Sequence, residues 1–599
     1  MNDDDSPRNV RRTARLSRRD FLTLAAGAAT APLLGSTRAG PAPAQTRQNR
    51  TRGRASVRSG HNILFIFTDQ ERYFSKWPSG LVLPAHERLQ RKGTTFHNHY
   101  CPAVMCSSSR AVMLTGLQTP DTGIFENVSS RWVKNLSTDI PTIGHMLRRA
   151  GYYTAYKGKW HLHEDFDTHK ADHFFTREME AYGFSDFVSP GDIIAHTRGG
   201  YEFDHLIAGS AISWLRRKGK PLAQANKPWC LFVSLVNPHD VMYFNTDARG
   251  QRVQDNGQLL MRAARAPDHD LYKAVWDVEL PRTLREPVDA PGRPHAHGEY
   301  LKIWRYLLGE IPLEEERWRR FNDYYINCIR AVDGEVANIL NELDALGLDE
   351  RTIVVFTSDH GEQAGAHGLH GKGPFAYRES IHLPFHVVHP DVRPGENCAA
   401  LTSHIDIVPT LLAMAGVKPE RAGELAGREL PGKNLMPLLS NPGAARLHAV
   451  RDTVLFTYSG LTTNDRGLIR TISKARAAGR RPAVALLKNR YVPDLKKRGS
   501  LRTVFDGRYK FTRYFAPLRH NQPQTVEELY RWNDVELFDL QADPDETVNL
   551  AARKGKHRDV ILAANTKLNA AIRQEIGVDD GHELPDIPFV DWTVDRTDL

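Results

Sequence analysis

Apolar runs of strand length alternate along this chain with stretches whose apolar positions recur every three to four residues. Asn62-Ile63-Leu64-Phe65-Ile66-Phe67, Trp229–Val236 and Thr352–Thr357 have the near-continuous apolar pattern of strands covered on both faces, and Tyr152–Tyr156 reads as a further strand. Pro84–Lys92 reads as a helix closed by Gly93, Pro141–Ala150 as one stopped by Gly151, Glu315–Leu346 as a long helix ended by Gly347, and Ile405–Ala415 as one ended by Gly416. Strands alternating with helices predict an α/β fold, with a large, mostly parallel mixed sheet flanked by helices on both faces. Beyond Pro442 the texture changes. Leu501–Thr512 predicts a hairpin turning at Asp506-Gly507, Glu536–Leu540 a short strand and Ala552–Glu575 a helix, together a smaller C-terminal α+β subdomain. Tyr243–Ala296 and Thr462–Arg498, rich in Pro, Gly and charge, read as long surface insertions.

The N-terminus breaks this pattern. Ser17-Arg18-Arg19-Asp20-Phe21-Leu22 precedes an apolar, small-residue stretch from Thr23 to Leu34, and a short segment then ends at Ala42-Pro43-Ala44. A charged region, an apolar stretch and an A-x-A site in that order predict a secretory signal over residues 1–44. The paired arginines resemble the twin-arginine variant, whose export machinery carries folded proteins, so a periplasmic or secreted location is expected. Residues 45–58 read as a flexible basic linker, leaving a body divided at 59–440 and 441–599.

Charge matters only once it is located. Eleven arginines against four aspartates in residues 1–54 carry +7 of the net +9, which leaves +2 for the rest of the 599 residues. Bulk charge therefore predicts no phosphate-tracking groove and no nucleic-acid partner. No apolar run reaches the roughly 18–20 residues of a membrane span, so no stable membrane association is expected. Five cysteines (Cys101, Cys106, Cys230, Cys328, Cys398) contain no C-x-x-C pair, which argues against a disulfide scaffold or a zinc ribbon.

Chemistry-bearing residues sit where strands end, the place where sites gather in open α/β sheets. The first strand runs into Thr68-Asp69-Gln70, and the strand at 352–356 into Ser358-Asp359-His360-Gly361-Glu362. Carboxylate, amide and imidazole donors from two strand ends point to a divalent-metal site at Asp69, Gln70, Asp359 and His360. A third element, Cys106-Ser107-Ser108-Ser109-Arg110-Ala111-Val112-Met113-Leu114-Thr115-Gly116, places Cys106 at or just before a helix N-terminus. Free N–H groups and the helix dipole there favour an anion, and Arg110 adds a fixed positive fork one turn in.

This last stretch resembles the signature of the type I sulfatases of the alkaline phosphatase superfamily, C-x-P-S-R followed by four residues and T-G. Cys106, Ser109, Arg110, Thr115 and Gly116 match in register, and Ser108 stands where Pro is usual. The resemblance implies an alkaline-phosphatase-like fold, a catalytic domain over 59–440 and hydrolysis of a small-molecule or saccharide sulfate ester. It also implies a formylglycine made from Cys106 by formylglycine-generating machinery, with Cys106 then lying beside the metal. Gly158-Lys159-Trp160-His161-Leu162 resembles a family segment whose Lys and His contact the sulfate and the nucleophile, which implies those roles for Lys159 and His161. Asn237-Pro238-His239 is similar to the segment of the leaving-group histidine, and Gly368–Gly373 to the segment supplying a lysine, which makes Lys372 the match. Asp406 with Pro409-Thr410-Leu411-Leu412, and Glu536–Leu540 with Asp543-Pro544 and Asn549-Leu550, resemble downstream signatures. The Asp359-His360 pair resembles the choline-sulfatase and phosphonate-monoester-hydrolase branch. A phosphonate monoester or phosphodiester hydrolase is thus the nearest alternative, and a non-catalytic exported binder of sulfated ligands a more distant one. Calcium is the expected ion, with manganese as the alternative. Basic residues among Lys474–Arg498 read as a solvated loop, with binding of a sulfated polyanion as the other reading.

Overall fold

The computed structural model describes residues 60–585 apart from 131, 168–174, 191–195, 256–258, 462–464 and 481–492. The expected leader and linker, 1–44 and 45–58, lie outside the described residues. Among the described residues, one sheet holds β1 (Asn62–Asp69), β2 (Thr94–Tyr100), β3 (Tyr153–Gly158), β4 (Ser185–Val188), β5 (Trp229–Pro238), β6 (Thr352–Ser358), β7 (Phe385–Val388) and β8 (Glu396–Ser403). Its spatial order is β4-β3-β5-β1-β6-β7-β2-β8, parallel throughout except at β7, which is antiparallel to both neighbours. A second, wholly antiparallel sheet, β12-β11-β10-β9, is built from β9 (Val454–Tyr458), β10 (Ser500–Phe505), β11 (Tyr509–Phe515) and β12 (Asp534–Asp539).

The helices include α1 (Pro84–Lys92), α2 (Cys106–Thr115), α3 (Ile143–Arg149), α4 (Gly199–Trp214), α5 (His295–Leu307), α6 (Glu315–Ala345), α7 (Ile407–Met414), α8 (Arg466–Ala477), α9 (Val526–Trp532) and α10 (Arg558–Glu575). They form layers on the two faces of the large sheet because successive strand side chains point to opposite sides. Ile63, Phe65 and Phe67 of β1 join Phe232, Ile353 and Val355 in a core with α2, α3 and α7. Leu64 and Ile66 instead join Leu231, Val233, Val354 and Phe356 in a core with α1, α4 and α6. The smaller sheet buries Val504, Phe511 and Leu537 against Ile561, Leu568 and Ile572 of α10.

Most element ends lie within two residues of the sequence expectation, and the exceptions have local causes. α3 starts at Ile143 because the Thr142 hydroxyl caps it, accepting from Gly144 N. The C-terminal helix starts at Arg558 rather than Ala552, since Asn549 Oδ1 accepts from both Leu537 N and Ala551 N and closes a separate turn over Leu550–Arg553. The two expected surface insertions need correction. Within Tyr243–Ala296, Phe244, Tyr272 and Leu284 are buried with Trp318, Phe321 and Tyr324 of α6, and Asp247 pairs with buried Arg317 at 2.7 Å. Apolar residues spaced among prolines and charges supply that packing. Within Thr462–Arg498, α8 buries Leu468 and Ile469, while 481–492 lies outside the described residues. All five cysteines are buried and unpaired. No helix among the described residues is long and apolar enough to cross a membrane.

Candidate active site

Four adjacent strands deliver the candidate residues to one edge of the large sheet. β1 and β6 run side by side with Thr68 opposite Ser358, so Asp69 and Asp359 leave the sheet together. On the other side of β1, Asp69 lies opposite Pro238, the residue before His239. Beyond β5, Gly158 of β3 lies opposite Ser234 and leads into Lys159 and His161. Only glycine fits at 158: its φ is +93°, and a Cβ there would lie 1.9 Å from Ser234 O.

Cys106 faces these strand ends as the first residue of α2, and that helix is buried along its whole length. Its N-terminal turn is tied down by side chains. Ser107 Oγ donates to His161 O at 2.6 Å, Ser107 N donates to Asn127 Oδ1 at 3.2 Å, and Ser109 Oγ donates to Asp359 O at 2.5 Å. Cys106 Sγ then lies 3.2 Å from His360 Nε2, 3.7 Å from Asp69 Oδ1, 4.0 Å from Lys159 Nζ and 2.6 Å from Lys372 Nζ. Lys372 Nζ is also 3.4 Å from His239 Nε2. The geometry therefore joins Cys106, Lys159, Lys372, His239, Asp69, Asp359 and His360. Buried His161 reaches the group through its carbonyl on Ser107.

Arg110 is the hub beneath. Its Nη2 donates to Asp69 Oδ2 at 2.8 Å, its Nε to Asp359 Oδ2 at 2.9 Å, and its Nη1 to Lys159 O and Ser234 Oγ, both at 2.8 Å. Lys159 Nζ also pairs with Asp69 Oδ2 at 2.7 Å. Both carboxylates thus spend Oδ2 on cations and turn Oδ1 towards the cysteine side, where His360 Nε2 lies 3.6 Å from each Oδ1. Ligand atoms on a cation with bonds of about 2.0–2.6 Å sit roughly that far apart. Three further features suit a cation. His360 Nδ1 lies 3.0 Å from Gly361 O, which fixes the proton there and leaves the Nε2 lone pair facing inward. Gln70 Nε2 donates to Glu362 Oε2 at 2.5 Å, while the buried Gln70 Oε1 has no hydrogen-bond partner among the described residues. Asp69, Cys106, Asp359 and His360 each place one ligand atom within 4.8 Å of all the others. Carboxylate, imidazole and amide donors of this kind fit a divalent ion.

Electrostatics follow from burial among opposed charges. Burial alone would raise the Asp69 carboxyl, but Lys159, His239, Arg110 and His360 hold it well below its usual range. Asp359 moves the other way, raised by burial and by the neighbouring Asp69 charge. Burial pushes the Cys106 thiol up to about 12, with Asp69 adding to the effect. Burial, reinforced by Lys159 and Arg110, keeps the His161 imidazole well below its ordinary value and so neutral.

Sequence reasoning missed the supports. Glu362 accepts from Gln70 Nε2, Ala364 N and Gly371 N, linking the β1 loop to the loop that carries Lys372. Tyr325 of α6 donates from its hydroxyl to Gln70 O at 2.7 Å and accepts from Arg72 N at 2.9 Å. Ser234 was visible only as one residue of a buried strand. An acid three residues after Asp359 was the sole sequence signal for any of these.

Comparison with known proteins adds the family context. The family profile described as Sulfatase matches residues 61–417. The chain is 27% identical over 535 residues to a choline-sulfatase of Rhizobium meliloti, covering 85% of this chain and 86% of that protein. It is 27% identical over 419 residues to an N-acetylglucosamine-6-O-sulfatase of Bacteroides thetaiotaomicron, covering 64% and 71%. Among solved structures, a phosphonate monoester hydrolase of Silicibacter pomeroyi superposes with a TM-score of 0.60 at 19% identity, over 86% of this chain and 96% of that one. A structure solved with its substrate D-glucosamine-2-N,6-O-disulfate superposes with a TM-score of 0.56 at 19% identity, over 87% and 99%. At such identities the two superpositions speak for the fold alone.

Proposed function

Since this chain belongs to the sulfatase family, hydrolases of sulfate esters, we propose that it cleaves R–O–SO₃⁻ to an alcohol and sulfate at Cys106, converted to formylglycine. One observation carries the reading: a cysteine at a helix start has two lysines, two aspartates and an imidazole within 4.0 Å of its sulfur or joined through them. Formylglycine, as its hydrate, supplies two hydroxyls on one carbon, one to attack sulfur and one through which sulfate is later expelled. A divalent cation, when bound by Asp69, Asp359, His360 and Gln70, offsets charge on the sulfuryl oxygens. Calcium is the ion we assign, with manganese as the alternative.

The chain's own groups do the rest. Lys372 and Lys159 face the nucleophile position and stabilise the negative charge that spreads over the transferring group. Arg110 aims Asp69 and Asp359, and its charge favours the ionised form of both. His239, beside Lys372, gives a proton to the leaving oxygen as its bond to sulfur breaks. Neutral His161 accepts the proton of the remaining hydroxyl as the aldehyde reforms and sulfate departs. Export through the twin-arginine route belongs to the same reading, because a buried Cys106 would be modified before the folded protein leaves the cytoplasm. The test is a side-by-side assay on an aryl sulfate and on a phenyl phosphonate monoester. Sulfate-ester turnover in the larger kcat/KM supports the reading, and a preference for the phosphonate ester overturns it.

A further inference from the structure

Gln70 and Glu362 are both fully buried beside the cation site, and the backbone of Gln70 is pinned independently of its side chain. Its N donates to Asp359 Oδ1 at 3.1 Å and its O accepts from the Tyr325 hydroxyl at 2.7 Å, with φ at +77°. These bonds leave one thing open, which end of the side-chain amide faces the cation site. The two ends have nearly the same shape, so hydrogen bonding rather than packing chooses between them. Only the carbonyl end suits a hard divalent ion, because the NH₂ group offers hydrogens and no lone pair.

Glu362 makes that choice. Its Oε2 accepts from Gln70 Nε2 at 2.5 Å, which leaves the buried Gln70 Oε1 with no hydrogen-bond partner among the described residues. Its other oxygen, Oε1, accepts from Ala364 N at 2.8 Å and from Gly371 N at 2.7 Å, at the two ends of the loop that leads to Lys372. Two backbone donors thus lock one oxygen of an acceptor-only group, and its second oxygen is presented to the amide.

We infer that Glu362 is a positioning residue: its carboxylate, clamped by the loop of Lys372, holds the Gln70 amide with the carbonyl oxygen turned to the divalent cation. This role rests on the reading of Asp69, Gln70, Asp359 and His360 as a cation site, and not on which ester is cleaved. An amide at position 362 would reverse the arrangement. The two backbone N–H groups would claim its oxygen, its NH₂ would face Gln70, and the Gln70 amide would turn over to accept from it. NH₂ would then replace the carbonyl at the cation. A carboxylate at position 70 has an oxygen at either end, so the reversal would not affect it.

The test is a double-mutant cycle on the full chain, stripped of metal by chelation, with the Kd for calcium read by titration calorimetry. The four proteins are the parent, Glu362→Gln, Gln70→Glu and the two substitutions together, and manganese replaces calcium if the parent binds only that ion. Glu362→Gln should weaken binding by about 10–100-fold, the range for a partner that orients a metal ligand. Gln70→Glu should tighten binding about tenfold more in the Glu362→Gln chain than in the native one, where it sets two carboxylates against each other. A residue that only braces the fold gives no such rescue. Glu362→Gln binding within about twofold of the parent overturns the positioning role, and so does a Gln70→Glu effect that is equal in both backgrounds. If melting shows Gln70→Glu alone to be unfolded, the doubly substituted chain decides: binding within about threefold of the parent supports the role, and binding no tighter than Glu362→Gln overturns it. A parent that binds neither ion overturns the cation site and this role together. A parent that binds calcium and follows the cycle yet hydrolyses no sulfate ester sinks the catalytic reading and leaves the role of Glu362 standing.

Discussion

Replacing His239 with alanine isolates the proton given to the leaving group. His239 Nε2 lies 3.4 Å from Lys372 Nζ, which lies 2.6 Å from Cys106 Sγ, so the imidazole is no more than about 6 Å from the nucleophile position. A near-attack separation of about 3–3.5 Å followed by a hydrogen-bond reach of about 2.6–3.2 Å covers that span. Positioned general acids contribute about 10²–10⁴-fold, which is roughly 3–5 kcal/mol at 1.36 kcal/mol per decade. The need for a proton rises with the basicity of the departing oxygen. His239→Ala should therefore lower kcat/KM by about 10²–10⁴ on an alkyl sulfate but by less than about tenfold on nitrophenyl sulfate, whose phenolate leaves unaided. The assay is kcat/KM across a series of esters graded by the alcohol's pKa, with melting temperature as the control for folding. An equal loss across the series would refute the assignment, because a residue that only shapes the site does not distinguish leaving groups.

Other outcomes follow from the same geometry. Chelation should abolish turnover and lower the melting temperature, with calcium restoring both, since an ion at 1,000 times its Kd stabilises by about 4 kcal/mol; unchanged activity after exhaustive chelation contradicts the cation site. Buried His86 sits between Glu71 Oε1 at 2.7 Å and Asp333 Oδ1 at 2.6 Å. Burial opposes its charge, but the two carboxylates raise its pKa from 6.5 to about 10. A raised folded pKa gives stability that is complete below about 6.5 and lost as pH rises through about 10. The stability gap between the native chain and His86→Gln should thus narrow over that window, and a constant gap would contradict it. Arg451 holds Asp406 at 2.5 Å and Glu575 at 3.1 Å, all three buried. Arg451→Ala leaves two carboxylates without their cation and should cost about 3–5 kcal/mol in denaturant unfolding, so a loss under about 1 kcal/mol would refute that pairing as a brace between α7 and α10.

The readable parts of the molecule were those written in short sequence windows. Odd and even positions of β1 alternate between two cores, and the acid after each strand emerges at the sheet edge, because strand period and strand-end chemistry are local properties. The start of α2 was legible from a serine run ahead of an apolar helix. What stayed hidden was long-range. Tyr325 reaches Gln70 across 255 positions and Ser234 reaches Arg110 across 124, with nothing in either segment to mark the partner. The packing of residues 243–296 on α6 was obscured by the same cause, since its apolar residues are spaced by prolines and charges rather than by a helical or strand period.

The central claim concerns one side chain, and its mass is the most direct test. Protein purified from its native host and active on a sulfate ester should yield a Cys106 peptide in which sulfur has been replaced by an aldehyde oxygen, lighter than the cysteine form and reactive towards a hydrazide. An active preparation whose Cys106 peptide carries only the unmodified thiol would contradict the account.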